Sequence, residues 1–225
     1  MRVVFFDIDG TLILSGGAGR AAMEGALCRA FNVPLHHQRV SFTGRTDRAI
    51  AHDLLTLHNI EDTAENWQRF RDVYLHDLPS SLHQFEGVIL PGVVEFINEL
   101  NRLPRLAVGL LTGNIREGAR IKLAHYGLAG HFAFGGFGDD HFHRDDVARE
   151  ALAAANAFLG EEIRTEHVWV IGDTPLDVRC ARAIGARVAA VATGWHSAAE
   201  LARENPDLVF ENLSQAEPLL DLLTK

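Results

Sequence analysis

Val3-Val4-Phe5-Phe6-Asp7-Ile8-Asp9-Gly10-Thr11-Leu12 joins an apolar run to two acids and a Gly-Thr turn. The apolar run suits a strand buried in a sheet, and such a strand delivers Asp7 and Asp9 at its carboxyl end. In open α/β sheets, ligands bind at that edge. Side chains at i and i+2 share a face of a strand, although the turn that begins here can splay them apart. Two carboxylates this close repel each other unless a cation or a proton separates them.

Three later segments extend the pattern. Leu106-Ala107-Val108-Gly109-Leu110-Leu111 is a second apolar run and ends in Thr112-Gly113-Asn114. Val168-Trp169-Val170-Ile171 is a third and ends in Gly172-Asp173-Thr174-Pro175-Leu176-Asp177. Between them, Arg144 stands just ahead of a helical pattern from Asp145 to Ala157. Each polar group follows a strand-like run or opens a helix, so a parallel sheet gathers them at one edge.

This order of acid, acid, hydroxyl, cation, acid and acid resembles the haloacid dehalogenase superfamily of phosphohydrolases, from Asp7 to Asp177. The resemblance makes Asp7 the nucleophile, forming an aspartyl-phosphate. It makes Asp9 the group that protonates the leaving oxygen and later deprotonates water. It implies Mg²⁺ held by Asp7, the backbone carbonyl of Asp9 and Asp173, with Asp177 in support, because that ion favours hard oxygen ligands. Thr112 with the amides of Gly113 and Asn114 would hold phosphate at a helix N-terminus. Arg144 occupies the position where the family usually has Lys; it brings the same charge with a forked, planar head. Lys122 is the only competitor for that basic role, and its place inside a helical pattern suggests a solvated face. The loop Phe42-Thr43-Gly44-Arg45-Thr46-Asp47 is similar to loops of phosphoglycolate phosphatase-like members, which would set Arg45 against a substrate carboxylate or second phosphate, with a helix cap at Thr46 as the plain reading.

The rest of the chain fills in an α/β, doubly wound parallel sheet with an inserted helical cap domain. Apolar residues Ala22, Met23, Ala26, Leu27, Ala30 and Phe31 repeat at helical spacing, and two more helices are expected over 46–58 and 62–78. Asp62 with Glu65 has the spacing of a capping box. No strand run comparable to the first appears until Val88-Ile89-Leu90, so 16–85 reads as the cap and 1–15 with 86–225 as the catalytic core. Thereafter helices over 91–102, 115–126, 145–158 and 175–184 alternate with strands at 106–111, 131–134, 168–171 and 187–192. Ser197 with Glu200 and Ser214 with Glu217 have capping-box spacing for two final helices.

Composition narrows the function. The net charge is −9, without a basic run, which argues against a nucleic-acid surface. Lys122 and Lys225 are the only lysines. No stretch is long and apolar enough for a membrane span, and the N-terminus lacks a signal peptide's apolar region. Cys28 and Cys180 are too few and too far apart for a disulfide framework, which fits a reducing cytoplasm. Twelve histidines cluster only at His36-His37 and His141-Phe142-His143, without the spacing of a zinc site. The expected activity is a Mg²⁺-dependent phosphatase for a small phosphorylated metabolite, with the oligomeric state open. A 2-haloacid dehalogenase does not need Asp9, and a phosphonate-cleaving enzyme would need a cap lysine, absent from residues 1–121. A sugar phosphomutase shares Asp7 and Asp9, and a silent metabolite-binding protein on this scaffold is the non-enzymatic alternative. A signalling receiver domain would place its phosphorylated Asp mid-chain, not at residue 7.

Overall fold

A computed structural model describes residues 1–35 and 40–224. Its main sheet contains β1 (Arg2–Phe6), β4 (Leu106–Leu111), β5 (Gly135–Gly136), β6 (Val168–Gly172), β7 (Arg187–Val191) and β8 (Leu208–Phe210), all parallel. The strand order is β5-β4-β1-β6-β7-β8. β1 is therefore central, flanked by β4 and β6, and the chain crosses from one side of it to the other between β5 and β6. That reversal is the switch point at which such sheets open a crevice beyond their carboxyl ends.

β1 shows why its sequence is apolar without alternation. Val4 and Phe6 pack on one face with α4 (Val93–Arg102) and α9 (Glu217–Thr224), whereas Val3 and Phe5 pack on the other with α6 (Arg144–Leu159) and α7 (Pro175–Ala183). A parallel strand covered on both faces must be apolar at every position. Burying each such Phe contributes roughly 1.5–3 kcal/mol, which fixes the strand and so the location of the acid that follows it.

α1 (Ala18–Phe31), α2 (Asp47–Leu57) and α3 (Ala64–Gln84) build a separate apolar cluster around Met23, Leu27, Leu55, Phe70 and Tyr74, which also takes in Ile115. The two chain passages leading into and out of these helices pair with each other: β2 (Ile13–Leu14) lies antiparallel to β3 (Val88–Ile89). The return run at Val88 thus belongs to this two-stranded ribbon and not to the main sheet.

Several local expectations are corrected. α3 is capped by Thr63, which accepts from Asn66 N–H at 3.1 Å, and not by Asp62. Asp62 instead holds Arg48 at 2.9 Å and His52 at 2.6 Å, so tertiary partners outcompete the local cap. α3 also runs past Leu78 through Pro79 to Gln84. The strand expected at 131–134 is a 3-10 turn over Ala129–His131 followed by β5, which pairs with β4 through Gly135 and Gly136, while Phe134 contributes its carbonyl to Leu110 N–H at 3.0 Å. Ser214 lies in a 3-10 turn whose amide is taken by Asn212, so it does not cap α9. The Ser197–Glu200 box caps α8 (Ala198–Ala202) as expected. Among the described residues no helix is long and apolar enough to cross a membrane. Both cysteines are free.

Candidate active site

Asp7 follows β1, Thr112 follows β4 and Asp173 follows β6, so three adjacent strands deliver them to one edge. Asp177 arrives from the first turn of α7. One carboxylate oxygen from each of Asp7, Asp173 and Asp177 lies within 4.8 Å of the others, and all three residues are buried. The backbone has been shaped for this approach. Gly10 has φ 88° and packs directly on the Asp173 carboxylate, where any Cβ would collide with it. Thr11 Oγ1 donates to Asp173 Oδ1 at 3.1 Å.

Arg144, the first residue of α6, is buried among these acids. Its Nη1 lies 3.4 Å from Asp7 Oδ1, and its Nη2 donates to Asp177 Oδ1 and, at 3.3 Å, to the Leu111 carbonyl. Asp177 Oδ2 is engaged elsewhere, accepting from the Thr174 amide at 3.0 Å and the Thr174 hydroxyl at 2.7 Å. Asp177 therefore closes a capping box with one oxygen and orients Arg144 with the other. Burial, helped by the neighbouring Asp177 charge and opposed by Arg144, pushes the Asp7 carboxyl up to about 6. Burial and the charges of Asp177 and Asp7 also raise Asp173 well above the usual carboxylate range. One guanidinium does not neutralise three buried acids, so the donor set suits a further cation, and its hard oxygens suit Mg²⁺ or Ca²⁺.

Asp9 points elsewhere. Its Oδ2 accepts from Lys122 Nζ at 2.6 Å and from Asn114 Nδ2 at 2.8 Å. Lys122 also donates to Asn114 Oδ1 at 2.6 Å. The expectation of a solvated Lys122 is thus corrected: the residue is only 4 % exposed. α5 (Arg116–His125) lies under α3 and carries Lys122 on its inward face, where a helical pattern alone gave no warning of an acid opposite. Burial opposes the ammonium charge, but Asp9 and Asp47 outweigh that and raise its pKa.

The N-terminus of α5 is also more crowded than expected. Asp47 Oδ2 accepts from Ile115 N–H at 2.9 Å and Asp139 Oδ2 from Arg116 N–H at 2.8 Å, so the chain's own acids cap this helix. The Asn114 side chain is bonded to Asp9, Thr112 and Lys122. Asp47 N–H in turn donates to the Gly113 carbonyl at 2.7 Å, and Gly113 lies against the Arg45 backbone where a Cβ would not fit. Thr46 caps α2, accepting from Ala49 N–H at 3.2 Å. The loop between α1 and α2 is thereby pinned onto the end of β4. Asp47, Asp139, Thr11 and Lys122 are the participants that sequence reasoning did not single out or placed wrongly. The acid after Thr46 was the one available signal among them.

A cavity of about 330 Å³ opens between Arg45, Thr46, Ala49, His52 and Asp53 on one side and Phe142, His143, Arg144 and Leu176 on the other. Arg45 reaches Asp53 Oδ2 at 2.6 Å and the Ser41 carbonyl at 3.1 Å. Phe142, one of the cavity's lining residues, packs onto Arg48, 4.5 Å from ring centre to guanidinium. His141 pairs with Glu150 at 2.9 Å. His36 and His37 lie outside the described residues.

The parallel sheet thus carries three buried acids and a buried cation at the carboxyl edge of its central strands. Residues 4–182 match the model of the haloacid dehalogenase-like hydrolase family, and the chain belongs to that family. It is 27 % identical to phosphoglycolate phosphatase 1 of Pseudomonas aeruginosa, over 98 % of this chain and 80 % of that protein. It is 23 % identical to phosphoglycolate phosphatase of Photorhabdus laumondii, over 95 % of this chain and 90 % of that protein. Among solved structures, a hydrolase from Pseudomonas syringae superposes with a TM-score of 0.73 at 24 % identity, with all of both chains covered. CbbY from Rhodobacter sphaeroides, solved with phosphate, superposes with a TM-score of 0.74 at 18 % identity over 96 % of each chain. These structures share the fold. The chain is a hydrolase of this family, phosphatase-like in its relatives and in its acids.

Proposed function

We propose that this hydrolase is a Mg²⁺-dependent phosphatase for small phosphomonoesters of the phosphoglycolate type, acting through an aspartyl-phosphate on Asp7. The observation that carries the reading is the convergence of Asp7, Asp173 and Asp177 around a shared point with Arg144 beside Asp7. Mg²⁺, bound by Asp7, Asp173 and the Asp9 carbonyl with Asp177 in support, would offset the charge of the phosphoryl oxygens. Asp7 attacks phosphorus while the ester bond breaks, and Arg144 holds the phosphoryl group by charged hydrogen bonds. Thr112 and the Gly113 amide would take further phosphoryl oxygens at the same edge, the Asn114 amide already donating to Thr112 Oγ1 at 3.3 Å. Asp9 gives its proton to the departing oxygen and later takes one from the water that splits the aspartyl-phosphate, regenerating Asp7.

Residues 16–85 serve as a cap over a core formed by 1–15 and 86–225. In support, helices α1–α3 hold their own apolar cluster and the β2–β3 ribbon ties the two chain passages between them and the sheet. The cavity bounds the leaving group, because about 330 Å³ is at the small end for ligand pockets. Arg45 lines it opposite Arg144 and suits a substrate carboxylate, which would compete with Asp53 for the guanidinium. The names of the two bacterial relatives favour the same substrate class.

The test is phosphate release from a panel of phosphorylated metabolites with Mg²⁺, run beside Asp7→Asn. Turnover of phosphoglycolate or similar small esters by the wild type alone is the expected result. No release from any ester, or release that survives Asp7→Asn, would overturn the reading.

A further inference from the structure

Lys122 is a buried ammonium with two fixed acceptors and no part in holding the phosphoryl group. Nζ donates to Asp9 Oδ2 and to Asn114 Oδ1, each at 2.6 Å, and Asn114 Nδ2 donates to the same Asp9 oxygen at 2.8 Å. The three side chains form a closed triangle of hydrogen bonds on one edge of the Asp9 carboxylate. α1 leaves room for it, since a Cβ at Gly19 would stand 3.2 Å from Nζ. Asp9 itself is 40 % exposed at its side chain, so the constraint on its direction comes from this edge.

Two donors on Oδ2 decide which oxygen is free for chemistry. Oδ2 cannot carry a proton toward a substrate while it faces two N–H groups, so Oδ1 is left to meet the leaving oxygen. We propose that Lys122 is a positioning residue that locks Asp9 through Oδ2, with Asn114 as the brace, so that Oδ1 is the oxygen that exchanges the proton. The proton passes from Asp9 Oδ1 to the leaving oxygen as the ester P–O bond breaks and the Asp7–phosphorus bond forms. A proton from the attacking water returns to Oδ1 as that bond is hydrolysed. Lys122 loses no proton and touches no phosphoryl oxygen in this scheme; Arg144 beside Asp7 has that part. The inference rests on the phosphatase reading above.

Leaving-group chemistry separates this role from phosphate binding and from mere packing. p-Nitrophenolate leaves without a proton, whereas an alkoxide does not. Wild type, Lys122→Met and Lys122→Gln are compared on p-nitrophenyl phosphate and on the best alkyl phosphate, all with Mg²⁺. Loss of general acid help costs roughly 10²–10⁴ in rate, so Lys122→Met should lose at least about 10² in kcat on the alkyl ester and far less on the aryl one. KM should stay near that of the wild type. Lys122→Gln keeps one donor and should show the same imbalance at smaller size, which keeps the test open if the Met variant does not fold. Equal losses on both esters, or a loss confined to KM, would overturn the inference while leaving the phosphatase reading intact. A wild type inert on both esters would overturn the phosphatase reading itself, and this inference with it.

Discussion

Asp177 holds Arg144 beside Asp7: one of its oxygens accepts from the Arg144 guanidinium, while the other closes the capping box at Thr174. The first turn of α7 thus sets the direction of a side chain that begins α6. Arg144 is buried with Asp7 on one side and the Leu111 carbonyl on another, so its reach is limited to the end of β1 and β4. Removing it leaves a dense group of acids without their protein cation.

Arg144→Ala should therefore lower kcat/KM by about 10²–10³, the usual cost of deleting one charged donor to a transition state. Arg144→Lys should recover part of the loss, because charge returns without the two-pronged head. Steady-state kinetics on one ester decides the matter. Near-normal activity in the Ala variant would remove Arg144 from the phosphoryl site.

Asp7→Asn should abolish turnover while leaving the fold in place. The amide keeps the shape of the side chain at the end of β1 but cannot form an acyl phosphate. Circular dichroism and a rapid-quench search for phosphorylated protein check both halves. Residual phosphatase activity in a clean preparation would exclude Asp7 as nucleophile.

Chelation should silence the enzyme and Mg²⁺ should restore it. Added Mg²⁺ should also raise Tm even without substrate, since a ligand that binds only the folded state stabilises it by mass action. Ca²⁺, larger and less strict in geometry, should raise Tm yet support little turnover. Full activity in excess chelator, with no change of Tm, would contradict a metal among Asp7, Asp173 and Asp177.

Asp47 gives a pH signature in stability. Burial pushes its carboxyl from 3.8 to about 6, against the pull of Lys122 and the Ile115 amide. The folded state therefore binds its proton more tightly than the unfolded state. Stability from this group is full below about pH 3.8 and is lost as pH rises through about 6. Asp47→Asn retains an oxygen for the Ile115 amide but has no charge to bury. Between pH 4 and 7 the variant should gain on the wild type by up to about 3 kcal/mol in denaturant unfolding, from a shift of about two units. A stability difference that is flat across that range would refute the assignment.

The three runs that end at Asp7, Thr112 and Asp173 were legible because their information is local. A strand buried on both faces has to be apolar throughout, and the residues after it fall at its carboxyl end. Parallel connectivity then brings those ends together whatever lies between them. Arg144 was legible for a similar reason, as a cation opening a helix in the same order of motifs. The helix over 62–78 was found but its cap was not, since Asp62 is drawn to Arg48 and His52 of α2, which no local rule anticipates.

Lys122 marks the boundary between the two kinds of information. Its sequence neighbourhood, Ile121-Lys122-Leu123, fits either face of an amphipathic helix, and a charged residue is read as facing water by default. Whether it does depends on what covers α5. Here α3 packs on it, Gly19 of α1 comes up against Lys122 Nζ, and Asp9, 113 residues away in sequence, supplies the charge that makes its burial tolerable. Asp47 capping Ile115 is the same case at a separation of 68 residues. The sequence by itself determined the three central strands, their order of chemistry and the edge where the acids meet, because hydrophobic burial and chain connectivity are properties of each segment. The tertiary structure alone decided which oxygen of Asp9 is held, which acid orients Arg144 and which helix ends are already capped, because a buried charge settles on the partner that packing brings within hydrogen-bond reach.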